Sequence, residues 1–223
     1  MTQFGARRQP SAPQADAKLI ELVRGIPVPL LSDNIHRGTG SVGLRAWHKP
    51  TKSTMAGTAV TVRTRGGDNL AVLRAFDFCR PGDVLVIDAG GDLTNAVIGG
   101  IMTAGAAMLG LAGVVVDGAI RDAGEIGERE FPVFARGTNH RGPYKNGPGE
   151  INVAVNVGGM IVQPGDIVVG DLDGLLAFPA ADAPAVIDKA LAQQKKEEWQ
   201  MEEIRSGRWD RSFLDALEAK AIN

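Results

Sequence analysis

The residues with the clearest chemical potential in this sequence stand together at residues 117–125, Asp-Gly-Ala-Ile-Arg-Asp-Ala-Gly-Glu. They follow the apolar run of residues 113–116, which predicts a buried strand, and α/β folds place ligands at the carboxyl ends of such strands. Asp122 and Glu125 are three residues apart, so on a helix they would share a face and could address one hard cation. Arg121 beside them can bind a carboxylate through two parallel hydrogen bonds. The segment therefore predicts a metal-assisted site for an anion, although a helix N-terminus with acidic residues that complement its dipole explains the same pattern.

A glycine pair at Gly99 and Gly100 is the second feature, because it begins a helix predicted over residues 99–109. Without a side chain at Gly100, a ligand carboxylate can approach the free amides of the first helical turn. Tight packing of the helix on a neighbouring strand would explain the two glycines equally well.

The long-range spacing of these features resembles a known family. Gly100, twenty intervening residues and then Arg121-Asp122-x-x-Glu125 is similar to the signature of the RraA-like proteins, which include the regulator of ribonuclease E activity A. Their relatives are the 4-hydroxy-4-methyl-2-oxoglutarate aldolases, class II pyruvate aldolases of the same fold. The resemblance covers roughly residues 30–205, and its supporting stretches are Gly67-Asp68-Asn69, residues 81–86, residues 113–118, residues 164–166 and residues 171–174.

The resemblance implies a fold, a cofactor and a set of site residues. The fold would be an α/β fold of the α-β-β-α sandwich type, and the cofactor Mg²⁺ or Mn²⁺. Asp122 would bind the metal directly and Glu125 through water. Arg121 would hold the pyruvyl oxygens of a small 2-oxo acid. The substrate would also contact the backbone amides near Gly100, Ile101 and Met102.

The resemblance also implies an assembly with sites between subunits, either a homotrimer or a hexamer built as a dimer of trimers. In the family, an acidic residue from the C-terminal helix of the neighbouring subunit reaches the site. Glu197 and Glu198 lie where this residue is expected, and the sequence does not choose between them.

One departure from the family pattern bears on the reaction. The aldolases carry Asp at the position of Gly100, where it helps to hold a catalytic water, and Glu125 is the candidate substitute here. Retro-aldol cleavage must remove a hydroxyl proton and needs a base, whereas decarboxylation of a 2-oxo diacid needs only a metal and a cation to stabilise the enolate. We therefore expect a lyase of the oxaloacetate decarboxylase type, the pyruvate aldolase type or both, with Arg121 and Glu125 as catalytic residues. A catalytically silent regulatory protein is the alternative.

The overall composition fits this expectation and disfavours other classes. The formal net charge of −2 over 223 residues argues against a nucleic-acid surface held by general electrostatics. A single cysteine, Cys79, precludes an intrachain disulfide and suggests a reducing compartment. Because no apolar run approaches the length needed to span a bilayer and no signal peptide is recognisable, we expect a cytoplasmic protein without membrane contact.

Apolar runs and turn signals predict one α/β domain with appendages. We expect a mobile N-terminal arm at residues 1–16, the catalytic domain at residues 17–205 and a C-terminal helical tail at residues 206–223. Within the domain, a charged helix is predicted over residues 121–129 and a long helix over residues 183–205.

Three further features have competing explanations. The glycines at residues 90–91 follow a predicted strand and could form an S-adenosylmethionine loop, but a third spaced glycine is missing. Asp68 and Asn69, in a glycine-rich loop, could contact substrate or form an Asx turn. His140 lies in a polar loop that could line the site.

Overall fold

The protein is described by a computed structural model over residues 5–35, 37–51 and 53–221. Residues 1–4 of the expected arm and residues 222–223 of the expected tail lie outside this description. The α-helices are α1 Ala17–Arg24, α2 Val28–Asp33, α3 Leu70–Ala75, α4 Gly100–Met108, α5 Ala123–Gly127, α6 Ala183–Arg205 and α7 Phe213–Ala221, with 3₁₀ turns at Phe76–Phe78 and Ala180–Asp182. The strands are β1 Arg45–Ala46, β2 Met55–Thr64, β3 Asp83–Asp88, β4 Ala96–Ile98, β5 Gly113–Ile120, β6 Val133–Thr138, β7 Gly149–Ile151, β8 Val155–Val157, β9 Met160–Val162, β10 Ile167–Asp171 and β11 Gly174–Phe178.

One mixed sheet runs through the molecule in the order β1-β6-β5-β3-β2-β10-β11, with β4 paired to β5 and β7 paired to β2. Its centre is parallel, since β2 pairs with β3, β3 with β5 and β5 with β6 in that sense. The strands β10 and β11 extend the sheet as an antiparallel hairpin. A separate hairpin, β8–β9, lies beside it.

Three hydrophobic clusters separate four layers. The first joins α3, α4 and α5 to the outer face of the parallel strands, for example through Leu85 and Ile87 of β3. The second lies inside the curved sheet, where Val84 and Val86 of the same strand meet the β8–β9 hairpin and β10. The third joins α1, α2 and α6 to the far side of β10 and β11. The expected α-β-β-α sandwich is therefore confirmed, and the strands are apolar on both faces because both faces are covered.

The N-terminal segment, for which the sequence predicts a mobile arm, has contacts with the domain at residues 5–16. Residues 5–16 run along the domain, where the backbone of Arg7 and Gln9 hydrogen-bonds to Ile151 of β7. The side chain of Arg7 also pairs with the buried carboxylate of Glu150 at 2.5 Å. Edge-strand pairing of this kind satisfies backbone groups that composition alone would assign to solvent.

The long helix α6 has the predicted bounds, but only its beginning belongs to the core. Its buried residues are Ala183, Val186, Ile187 and Ala190, whereas the remainder is largely solvent-exposed in the single chain. Trp199 is 61% exposed, and α7 follows at Phe213–Ala221. No helix in the part of the chain that the structure describes is long and apolar enough to cross a membrane.

Candidate functional site

The candidate site forms where two strand-to-helix junctions lie side by side. Strand β4 leads into α4 through Gly99, and strand β5 leads into α5 through Arg121 and Asp122. The two strands are parallel neighbours, with Ile98 opposite Ile120. The backbone N–H of Arg121 donates to the carbonyl of Ile98 at 3.0 Å. This pairing brings residues that are about twenty positions apart in the sequence to one edge of the sheet.

Helix α5 begins later than the sequence predicts, and this changes the position of Asp122. The helix starts at Ala123, and Asp122 is its N-cap residue in the left-handed conformation, with φ 60° and ψ 34°. Aspartate tolerates this region better than most residues. The expected helix over residues 121–129 is therefore wrong at its first two and last two positions. At its start, β5 continues to Ile120 and a sharp turn follows it, and at its end the helix stops at Gly127.

The turn directs the Asp122 carboxylate at the beginning of α4. Its Oδ2 accepts a hydrogen bond from the backbone N–H of Gly100 at 2.9 Å. A Cβ at Gly99 would lie only 2.5 Å from the same oxygen, so glycine is required there for this approach. One first-turn amide of α4 is thus occupied by the protein itself, which differs from the open anion site expected at Gly100.

The next two amides of the same turn remain available. In the described residues, the N–H groups of Ile101 and Met102 donate no hydrogen bond to another part of the chain. The side chain of Ile101 is 86% exposed, whereas Met102 packs partly against the core. Unpaired N–H groups at a helix N-terminus favour an anion. The amides that the sequence assigns to substrate binding are therefore present, with Gly100 already engaged.

Glu125 approaches the same helical turn from the other side. A Cβ at Gly100 would lie 2.4 Å from its Oε2, so this carboxylate fills the space that a side chain there would need. Glu125 also pairs with Arg129, which in turn donates to the carbonyl oxygen of Gly100 at 3.1 Å. Asp122 and Glu125 therefore flank the backbone of Gly100.

Arg121 completes the cationic side of the site. Its side chain is 43% exposed, and its Nε lies 3.8 Å from Oδ2 of Asp122. A small cavity of about 50 Å³ opens beside it. The residues that line this cavity are Asn69, Val97, Ile98, Gly99, Ile101, Met102, Arg121, Asp122 and Pro143.

Asn69 is a cavity-lining residue that the sequence left undecided. Its side chain is 3% exposed, and its Nδ2 donates to the carbonyl of Val97 at 3.1 Å and contacts the sulfur of Met102 at 3.5 Å. Its Oδ1 is buried and has no hydrogen-bond donor in the structure. The position of Asn69 after two glycines in a loop between strand and helix is the only sequence signal for it.

Asp68 has a structural role. It is fully buried and accepts hydrogen bonds from the backbone N–H groups of Leu70, Asn146 and Gly147. Burial alone raises the pKa of this carboxyl, but the three N–H groups and the Arg65 guanidinium outweigh it, so the pKa lies below its usual value. The Asx turn at Asp68 thus accounts for this residue.

Other predicted contributors are not joined to this site within one chain. Glu197 and Glu198 lie on the exposed part of α6 and accept hydrogen bonds from Gln193 and Gln194 of the same helix. Over the described ranges, no three His, Cys, Asp or Glu residues are grouped to hold a metal ion. His140 is exposed in the loop after β6 and is not among the cavity-lining residues.

Comparison with known proteins defines the class to which this fold and site belong. Residues 28–177 match the sequence profile of the RraA-like family, described as Aldolase/RraA. The chain belongs to this family.

Three relatives illustrate the range of the family. A protein of Halalkalibacterium halodurans named "Putative 4-hydroxy-4-methyl-2-oxoglutarate aldolase" is 42% identical over 187 residues, which are 83% of this chain and 88% of that protein. The crystal structure of Streptomyces coelicolor RraAS2, titled an unusual member of the RNase ES inhibitor RraA protein family, superposes with a TM-score of 0.78 at 27% identity and covers 85% of this chain and 98% of that one. A Geobacillus kaustophilus structure titled S-adenosylmethionine: 2-dimethylmenaquinone methyltransferase has a TM-score of 0.63 at 31% identity, covering 68% and 94%.

Proposed function

We propose that the protein is a divalent-metal-dependent carbon–carbon lyase acting on a small 2-oxo acid, as an oxaloacetate decarboxylase, a pyruvate aldolase or both. This proposal rests on one observation: a guanidinium, a carboxylate and unpaired helix amides line the same cavity. Arg121, Asp122 and the first turn of α4 all line it. A relative that is 42% identical and named for an aldolase supports the lyase class.

The side chains fit Mg²⁺ or Mn²⁺ better than zinc. Such hard cations take oxygen ligands, and Mg²⁺ commonly keeps several waters while bound through one or two carboxylates and the substrate. One oxygen of Asp122 is held by the Gly100 amide, which orients the carboxylate and leaves Oδ1 for a cation. Glu125, on the other side of Gly100, can contribute through water. A zinc site usually needs three or four His, Cys, Asp or Glu ligands from the protein, and the described residues contain no such group.

A bound cation would act as a Lewis acid on the 2-oxo group and stabilise the enolate that both reactions form. The protein contributes the remaining elements. Arg121 binds the pyruvyl oxygens and offers a fixed positive charge to the developing enolate. The amides of Ile101 and Met102 receive the carboxylate next to the ketone. Gly99 and Gly100 keep side-chain atoms out of this space.

The two reactions place different demands on Glu125. Decarboxylation breaks the bond to the leaving carboxylate and passes its electron pair into the enolate, so it needs no base. Aldol cleavage must also remove the hydroxyl proton, and Glu125 is the carboxylate best placed to hold a water for this step. Because Glu125 is tied to Arg129, we propose decarboxylation as the more readily supported reaction.

Pyruvate release from a panel of substrates tests the proposal. Oxaloacetate and 4-hydroxy-4-methyl-2-oxoglutarate would be assayed with Mg²⁺, with Mn²⁺ and with excess chelator. We expect metal-dependent turnover that Arg121→Ala lowers by about 10²–10³-fold, the usual loss when a preorganised charge is removed from a transition state. Full activity in excess chelator would exclude the proposed mechanism.

The site is proposed to be completed by a neighbouring subunit in a homotrimer or hexamer. The exposed part of α6 carries Glu197 and Glu198 together with apolar side chains such as Trp199, an unusual surface for a free chain. Light scattering should find a trimer or hexamer. Glu197→Ala or Glu198→Ala should lower the activity, while light scattering should show that the assembly is intact. A fully active monomer would contradict this arrangement.

Two alternatives have specific discriminating observations. A catalytically silent regulator is favoured by the RraA name of a structural relative, and this alternative predicts that no 2-oxo acid is turned over.

A methyltransferase would need the Gly90–Gly91 loop to bind its ligand. In the structure, Asp88 before that loop already accepts hydrogen bonds from the amides of Gly90 and Asn156. Calorimetric binding of S-adenosylmethionine would restore the methyltransferase alternative.

A further inference from the structure

Arg121 is weakly held by the charges around it. Its side chain is about half exposed, and its carboxylate neighbour Asp122 lies 3.8 Å away. Ion pairs that face solvent restrain a side chain little, since water and salt screen them. A guanidinium that binds substrate in a fixed direction therefore needs another restraint.

The restraint lies in the loop that follows β6, at residues 139–143. Gly142 of this loop stands so close to the guanidinium that a Cβ there would lie 3.2 Å from Nη1 of Arg121. The next residue, Pro143, lines the same cavity as Arg121. The loop thus limits the space in which the guanidinium can turn.

Three hydrogen bonds hold this loop against the segment before α4. Nδ2 of Asn95 donates to the carbonyl of Gly142 at 2.7 Å, and the backbone N–H of Ala96 donates to that of Arg141 at 2.9 Å. Nδ2 of Asn139 donates to the carbonyl of Leu93 at 2.8 Å. Among these bonds, the one from Asn95 acts directly on Gly142, the residue that lies beside the Arg121 guanidinium.

Asn95 is itself fixed from its opposite side. Gly67, with φ +68°, approaches so closely that a Cβ there would lie 2.9 Å from the Cβ of Asn95. The amide of Asn95 is therefore held between the glycine-rich loop and the loop at residues 139–143. Its geometry is set by packing as well as by its own hydrogen bond.

We propose that Asn95 is a positioning residue for Arg121, acting through Gly142. This inference rests on the proposed function, since it assumes that Arg121 binds a 2-oxo acid. Asn95 touches neither substrate nor metal in this scheme. Asn95 holds Gly142 in place through a hydrogen bond, and Gly142 limits the positions that the Arg121 guanidinium can take.

The test compares Asn95→Ala and the isosteric Asn95→Asp, both of which remove the amide donor, with Asn95→Gln, which keeps it. We expect the first two to raise KM for the 2-oxo acid about tenfold and to lower kcat/KM about 10–100-fold, the scale of a small misplacement of a binding group. Asn95→Gln should recover part of this loss. The matched control is Gln14→Ala, which removes an amide-to-carbonyl bond of 3.0 Å to Pro81 and a bond of 2.8 Å to Asp83, away from the site, and should leave KM unchanged.

Two structural measurements separate this inference from the proposed function. Hydrogen exchange at residues 139–143 should become faster in Asn95→Ala than in Gln14→Ala, and a crystal structure of Asn95→Ala should show Arg121 displaced. If the wild-type protein turns over no 2-oxo acid, the proposed function fails while these measurements still decide the role of Asn95. Unchanged exchange with Arg121 in its original position, or an unchanged KM in Asn95→Ala, would overturn the inference.

Discussion

Asp68 and Asp122 both follow strands of the central sheet, yet they behave as opposites. Asp68 is fully buried, and its oxygens accept three backbone N–H groups as well as a contact from Arg65. Asp122 has a side chain that is 43% exposed and accepts one backbone N–H, from Gly100. The carboxylate oxygens of Asp68 are satisfied by hydrogen bonds within the fold, whereas the carboxylate of Asp122 can still accept hydrogen bonds or bind a ligand.

Asp117 shows that Asp68 and Asp122 differ because of the hydrogen bonds that their carboxylates accept, and not because of their positions along the sheet. It lies on β5, only five residues before Asp122, but it is buried and bonded to Arg136 at 2.5 Å and to the amide of Gly158 at 2.8 Å. It fastens the turn of the β8–β9 hairpin to the sheet. An acidic residue at a strand end is therefore a candidate for chemistry only when its oxygens are not already satisfied.

The largest effect is expected from Asp122→Asn, which removes the negative charge of Asp122 while keeping the shape of the side chain. Asp122→Asn retains an acceptor for the Gly100 amide and tolerates the left-handed backbone, so the fold should persist. Activity should fall about 10³-fold or more, since a catalytic metal supplies several kcal/mol of stabilisation. The thermal midpoint should move by less than about 4 °C. Turnover assays and calorimetry on the same preparation provide both measurements.

The outcome that would contradict this assignment is a stable Asp122→Asn protein with wild-type turnover. A large loss of stability would instead show that Asp122 is structural, as Asp68 is.

The second prediction concerns stability. Asp68→Asn should destabilise the fold by about 2–3 kcal/mol, because an amide cannot satisfy all the N–H groups that the buried carboxylate accepts. The thermal midpoint should fall by about 4–12 °C. Since the pKa of Asp68 is lowered in the folded state, its contribution is present above the unfolded pKa of about 3.9 and is lost as the pH falls through the folded value.

Denaturant titrations from pH 7 down to pH 3 would measure this. The wild-type protein should lose stability at the acidic end, while Asp68→Asn should lose less over the same interval. Equal acid sensitivity in both proteins would mean that other carboxylates dominate. At pH 7, an activity loss in Asp68→Asn without a stability loss would move Asp68 into the site.

Much of the fold follows from patterns that are local in the sequence. The apolar runs of β3 and β5 predict buried strands, and their alternate residues do pack into two different clusters. The bounds of α6 are also as predicted. The pairing of the N-terminal segment with β7 could not be predicted, because β7 is more than 140 residues away. Long-range pairing of this kind leaves no periodic signal in the sequence.

The proximity of Arg121, Asp122 and the first turn of α4 was predictable, whereas the geometry of the candidate site was not. The spacing of Gly100, Arg121 and Asp122 fits two parallel strands that end side by side. The left-handed turn at Asp122 and the capture of the Gly100 amide were not predictable, because both depend on the contact between two junctions. Asn69 and Asn95 look like loop residues in sequence and gain their roles only through tertiary contacts.

The smallest effect is expected at Gly100, where a substitution adds a carboxylate to the site instead of removing one. Gly100 does not have a positive φ, so its backbone accepts a side chain, but the new Cβ would meet the carboxylate of Glu125. Gly100→Asp should therefore displace Glu125 and take its place beside the substrate. Among the described residues, the ion pair of Glu125 is with Arg129 alone, so the displacement should cost little stability.

The expected result is a rise of about tenfold in the ratio of aldol cleavage to oxaloacetate decarboxylation, well below the 10²–10⁴-fold that an ideally placed base provides. Gly100→Ala is the steric control, since it displaces Glu125 without supplying a carboxylate, and it should lower aldol cleavage while decarboxylation survives. The double variant with Glu125→Ala and Gly100→Asp should retain the raised ratio if the new carboxylate holds the water. If the ratio rises in neither Gly100→Asp nor the double variant, a carboxylate at position 100 does not act as the base. If Glu125→Ala alone leaves aldol cleavage intact, Glu125 does not act as the base. If both results are found, neither position supplies the base. The proton would then leave by another route, and Gly100 would act only by giving Glu125 and the substrate room beside the α4 amides.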